Sequence, residues 1–219
     1  MGVEETIAGT EAARVPPRRE VSLLETAVHY AGERHWDVVP GTWLQATDGV
    51  QRCSCADVFC LAPGAHPAHP DWASQATGSA AVARRMWQRR PTASILLPTG
   101  RAFDALSVPE CAGFLALARM ERMELALGPV THTPDRRMQF FVLPGAAVKV
   151  RGLVRRLGWP VSLLHLAPLG DGDYVVAPPT RFGSRGVAQW ARRPAPANRW
   201  LPDAEELMAP LAYACGRGR

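Results

Sequence analysis

Between Cys53 and Pro67 the chain reads Cys-Ser-Cys-Ala-Asp-Val-Phe-Cys-Leu-Ala-Pro-Gly-Ala-His-Pro, and no other segment restricts the fold so tightly. Three of the five cysteines and a histidine fall within fourteen residues. Thiolates and an imidazole at this spacing suit tetrahedral Zn²⁺, and Pro63-Gly64 supplies a turn that returns His66 toward the thiols. Cys53, Cys55, Cys60 and His66 are therefore the candidate ligands of a structural zinc, with His69 as the other choice for the fourth. The competing reading is a loop of buried free thiols, which behave as small hydrophobes. Against it, the surrounding Gly, Pro and Asp leave no evident core strand. A disulfide framework fits poorly, because this is not a short secreted chain.

With 219 residues, 47% of them hydrophobic, the chain can bury one substantial core. The expected organisation is an N-terminal arm (1–20), a single domain (21–213) with the cysteine loop (52–70) as an insertion, and a short tail (214–219). The acidic start lacks a basic segment followed by an apolar one, and no apolar run reaches membrane-spanning length. A cytoplasmic protein with reduced thiols and no membrane association is expected. Net charge is +5 with Lys149 as the sole lysine, so the positive charge is almost entirely guanidinium. Guanidinium favours bidentate phosphate contact, although abundant Ala, Arg, Gly and Pro equally suit a GC-rich genome.

Ser22-Leu-Leu-Glu25 is a capping-box pattern, and Leu24, Ala27, Val28 and Ala31 follow at helical spacing, which predicts a helix to about Arg34. Further helices are expected over Ser79–Arg90, from Pro109-Glu110 to about Leu127, near Lys149–Leu157, and from after Pro202 through Leu211. Strands are expected at Trp36–Val39, Ser94–Leu97, Phe103–Val108, Met138–Leu143, Leu163–Ala167 and Tyr174–Ala177. Helices and strands intermix without strict alternation, so the fold class is α+β with a mixed or antiparallel sheet flanked by helices. Neither standard glycine-rich phosphate loop is present.

Several landmarks fall in a telling order: Ala27-Val-His-Tyr-Ala31, Trp36-Asp-Val-Val-Pro40, the cysteine loop, Ala76-Thr77, Trp87 before Pro91, Ile95-Leu-Leu-Pro-Thr-Gly100, Thr133-Pro134, and Asp173-Tyr-Val-Val-Ala-Pro-Pro-Thr180. From about residue 23 to 200 this order resembles the prim-pol branch of the archaeo-eukaryotic primases, the bifunctional DNA primase/polymerase domain. The resemblance implies two strand carboxylates, a third on a later strand, and a histidine that contacts the incoming nucleotide. Two Mg²⁺ or Mn²⁺ ions held by such carboxylates would activate a 3′-hydroxyl and stabilise the transferred phosphate.

At each of these positions the chain departs from the pattern. The alignment places Ser107 and Pro109 at the paired carboxylates, Met138 at the histidine and His165 near the third carboxylate. None of these four supplies the family's group. Asp104, Glu110 and Asp173 are the possible substitutes, but strand alternation turns Asp104 to the face of Leu106, and Asp173, like Asp171, lies in turn sequence.

Three functions follow as expectations. The first is a primase-polymerase-like protein that has lost nucleotidyl transfer and binds DNA, RNA or nucleotide weakly. Its contacts would be the paired arginines Arg84, Arg85, Arg89, Arg90, Arg136 and Arg137, with Arg155 and Arg156. The second is an active enzyme working through the displaced acids with Mg²⁺ or Mn²⁺. The third is a zinc-stabilised protein-interaction module presenting Trp87, Trp159, Trp190 and Trp200. Each arginine pair equally suits a solvated helix face.

Overall fold

Leu24, Ala27, Val28 and Ala31 form the packed stripe of helix α1 (Leu23–Arg34), which stops where His35 takes up a left-handed backbone. The Ser22 side chain makes no capping bond; instead the Thr26 hydroxyl donates to the Ser22 carbonyl at 3.0 Å. The computed structural model describes residues 22–47, 49–195 and 200–217, so residues 1–21, where the arm is expected, lie outside the described residues. After α1 come strands β1 (Val39–Pro40), β2 (Leu44–Thr47) and β3 (Val50–Cys53), helix α2 (Ala80–Arg89), strands β4 (Ile95–Pro98) and β5 (Asp104–Pro109), and helix α3 (Glu110–Arg122). Strands β6 (Val130–Thr133) and β7 (Arg137–Val142), helix α4 (Ala146–Arg156), strands β8 (Ala167–Leu169), β9 (Tyr174–Val176) and β10 (Gln189–Arg192), and helix α5 (Ala204–Arg217) complete the chain. The fold is α+β, with antiparallel pairing in every sheet.

Five strands in the order β10-β6-β7-β5-β8 form the main sheet, and β1-β4-β9 form a smaller one. Along β5, Leu106 and Val108 point to one face and Ala105 and Ser107 to the other, and the register carries this alternation across to β7 and β6. Leu106, Val108, Met138, Phe140 and Val142 pack under α3, α4 and α5. On the opposite face, Ala105 and Phe141 join Phe103, Trp36, Ile95, Leu97 and Val175 in a second core beneath α1 and α2. That second face is apolar only toward one end, and the remainder is polar.

Close packing of α3 on the main sheet requires Gly113. A Cβ placed there would lie 2.6 Å from Met138 Sδ and 2.8 Å from Met138 Cβ, so the helix could not keep its depth. Gly113→Ala is expected to destabilise the fold by roughly 1–3 kcal/mol through overpacking, read as a lower denaturation midpoint at an unchanged slope. Stability at or above that of the parent would show that α3 shifts without cost.

Several elements differ from expectation. The hairpin β2-β3 and strands β6 and β10 had no clear signal. Leu163–Ala167 is not a strand: Val161–Leu163 form a 3₁₀ turn and β8 begins at Ala167. Helix α3 ends at Arg122 rather than near Leu127, because Glu124 adopts a positive φ of 53°. Helix α5 continues past Leu211 to Arg217, since Leu207, Leu211, Ala214 and Cys215 extend its buried stripe into the stretch expected as tail.

Candidate functional site

The polar end of the main sheet forms the floor of a cleft of about 440 Å³, walled by Tyr174 and Val176 from the smaller sheet, by Asp173 just before β9, and by Ala62 and Ala65 from the cysteine loop. Cross-strand pairing aligns Ser107 with Gln139 and Thr131, and Pro109 with Arg137 and Thr133. Thr131, Thr133, Ser107 and Gln139 are all buried, so their polar groups must be partnered. The Thr131 hydroxyl donates to Gln139 Oε1, and Gln139 Nε2 lies 3.4 Å from Thr133 Oγ1. Arg137 ties this floor together: Nε donates to Ser107 Oγ at 3.0 Å, and Nη2 to the carbonyls of Ser107 at 2.8 Å and His165 at 3.0 Å. Burial pushes the Arg137 guanidinium below the usual arginine range, partly offset by the nearby Asp135. Burial likewise raises the Tyr174 hydroxyl, with Asp135 and Asp173 adding to the shift.

This arrangement redistributes the residues singled out in the sequence. Ser107 lines the cleft, but Met138 is fully buried against α3 on the opposite face, and the β7 side chains that enter the cleft are Arg137 and Gln139. His165 is exposed beside β8 and contributes its carbonyl to Arg137, while Ala167 and Leu169 are the β8 residues facing the cleft. Asp104 lies on the helix-packed face, where Oδ2 accepts from the Ala147 N–H at 3.0 Å and holds the first turn of α4. Glu110 is engaged by His132 at 2.8 Å and Arg136 at 3.1 Å, and Arg136, aided by His132, holds its carboxyl below the usual carboxylate range. Of the possible substitutes, Asp173 alone lines the cleft, with Oδ2 accepting from the Gly170 N–H at 3.1 Å. Asp135 joins it there, and the sequence reading missed this residue because it lies in the turn between β6 and β7.

The paired arginines do not converge on one groove. Arg84, Arg85 and Arg89 on α2 and Arg90 just after it are exposed and do not line the cleft; Arg90 lies 5.7 Å over the Trp43 ring. Arg136 pairs with Glu110, Arg156 with Glu205, and Arg155 is exposed. Nor do the tryptophans form a common face. Trp87 is buried and donates to the Ala93 carbonyl, Trp159 packs on the helical core, Trp190 on the second core, and only Trp200 is half exposed.

In the cysteine loop, the donor atoms of Cys53, Cys55, Cys60 and His66 all lie within 4.8 Å of one another. Cys53 ends β3, Ala56 turns the chain with a φ of 62°, and Gly64 takes a φ of 76° where the loop returns. His66 Nδ1 donates to the Pro67 carbonyl at 2.9 Å, which leaves Nε2 facing the thiols, 3.4 Å from both Cys53 Sγ and Cys60 Sγ. Burial would raise the Cys53 thiol, but the N–H groups of Cys55 and Gly64 and the Thr42 hydroxyl outweigh it and bring it to about 6. Burial, together with the neighbouring Cys55 and Cys53, pushes Cys60 up to about 12 against the Ala62 N–H. Thiols this close cannot all ionise unaided, and a divalent cation removes the conflict. The donor set could thus hold a metal ion, with His66 rather than exposed His69 as the imidazole.

A family model for the bifunctional DNA primase/polymerase N-terminal domain matches residues 27–200. No curated protein and no solved structure gives a match. The matched span takes in the main sheet, the smaller sheet and the cysteine loop, and the chain belongs to the prim-pol family. No helix among the described residues is long and apolar enough to cross a membrane.

Proposed function

We propose that this protein is a prim-pol-like domain that binds nucleic acid or nucleotide in its cleft and has lost two-metal nucleotidyl transfer. The observation that carries the reading is the cleft floor itself. On the strands where the family resemblance calls for carboxylates and the nucleotide-contacting histidine, the cleft-facing side chains are Ser107, Gln139, Arg137, Ala167 and Leu169. A fixed guanidinium among them opposes a second cation by direct repulsion. The cysteine loop is read as a structural zinc site in a reducing, cytoplasmic setting, since its ligand set is closed by four protein donors. The active-enzyme reading draws on one observation, the presence of Asp135 and Asp173 at the cleft, and needs further ligands beside them.

Labelled single- and double-stranded DNA titrated over a salt series tests the binding half of this reading. Affinity should fall steeply as salt rises, without sequence preference. Arg84→Ala with Arg85→Ala should change affinity by less than about threefold, because these side chains lie away from the cleft. No binding to either DNA or nucleotide at low salt would contradict the proposal and leave a protein-interaction module.

A further inference from the structure

We infer that the cleft seats a phosphate group without a divalent metal, with the Arg137 guanidinium as its charge partner. The inference rests on the reading of the cleft as a nucleotide or nucleic-acid site and specifies which group is bound and how. Arg137 is half-buried, and among the described residues no carboxylate lies within ion-pair distance of it. Its bonds run to neutral oxygens only, the Ser107 hydroxyl and the carbonyls of Ser107 and His165. A partly desolvated cation held this way is compensated incompletely, and an anion entering the cleft supplies the missing charge.

The three bonds also fix the orientation of the group. They commit Nε and Nη2 to the floor, while Nη1 makes no protein bond and is not among the buried orphan atoms, so its donors remain available. Beside it, Thr131 occupies Gln139 Oε1, which leaves the amide Nε2 as a donor with only a long contact to Thr133. Tyr174 also lines the cleft. Arg137 Nη1 and Gln139 Nε2 are thus donors without strong acceptors at the cleft, while the exposed Asp135 and Asp173 line it as well, Asp135 near enough to act on Arg137. Among the described residues, the one group of three or more metal-ligating side chains is the Cys53–His66 cluster. The cleft's volume of about 440 Å³ lies in the range of small-ligand sites. The ligand is therefore a phosphate ester, carried either by a free nucleoside triphosphate or by the 5′ end of a strand.

The test is calorimetric titration of the full chain with dATP in EDTA and again in Mg²⁺, with competition by 5′-phosphorylated and 5′-hydroxyl oligonucleotides of one sequence. Phosphate-dependent binding should persist in EDTA and change less than about threefold with Mg²⁺, and Arg137→Gln should weaken it about tenfold or more. Binding of dATP identifies the free nucleotide, and preference for the 5′-phosphorylated strand identifies the strand end. Phenylglyoxal labelling of the unmutated protein gives a readout independent of variant folding: the bound phosphate ligand in EDTA should protect Arg137 and leave Arg84 and Arg85 labelled. Binding only with Mg²⁺, an unprotected Arg137, or equal affinity in a folded Arg137→Gln variant overturns the inference. DNA binding that survives in that variant leaves the broader reading standing, whereas absence of all binding removes both.

Discussion

Purified without chelators, the protein should carry about one zinc ion per chain, and Cys60→Ser should reduce that to near zero. The expectation follows from four donors within 4.8 Å and from a His66 tautomer already held by the Pro67 carbonyl. Binding free energy on the order of 10 kcal/mol is available from such a site to hold a loop with little core of its own. Val58, Phe59 and Leu61 are exposed in this loop, and Ala65 is its member in a buried cluster, packed with Val39, Leu96, Val176, Phe182 and Ala188. Loss of the metal should therefore open the loop to proteolysis between Cys53 and His69, while the two larger cores, which contain none of its residues, keep a cooperative transition. The cleft should suffer as well, because Ala62 and Ala65 form one of its walls. A Cys60→Ser protein with full zinc content and an uncut loop would contradict the assignment.

Legibility in the sequence followed the physical signal each element carries. Helix α1 was readable because its apolar spacing is intact and its burial follows it. Strand β6 was not, because Thr131 and Thr133 are buried polar residues that partner the floor network, so the usual contrast between apolar and polar faces is missing. Alternation placed Asp104 with Leu106, and its carboxylate is indeed under α4. The same reasoning was not available for β7, where both faces are buried and the motif alignment alone pointed to Met138. The pleat turns Met138 into the helical core and brings Arg137 and Gln139 to the cleft. In the cysteine loop the ligand types were legible, but the choice of His66 over His69 depends on where the Gly64 turn directs the chain.

Primer synthesis and primer extension should both be absent with Mg²⁺ or Mn²⁺. Two-metal transfer needs several hard oxygen ligands around both ions. Here Ser107 accepts a bond from Arg137, Pro109 has no side-chain ligand atom, Asp104 is under α4 and Glu110 is paired with His132 and Arg136. Removal of metal-held transition-state stabilisation costs many orders of magnitude, so activity should be indistinguishable from a blank rather than merely slow. Ser107→Asp alone should restore nothing, since the new carboxylate would sit beside the Arg137 guanidinium and pair with it.

The most direct measurement combines both halves of the proposal in one sample: template-dependent incorporation of labelled nucleotide by protein whose DNA or nucleotide binding has just been measured. The predicted result is salt-sensitive binding with incorporation at the level of a protein-free control in Mg²⁺ and in Mn²⁺. Sustained incorporation by the same sample, abolished by Asp135→Asn with Asp173→Asn, would contradict it and assign catalysis to the two acids that line the cleft.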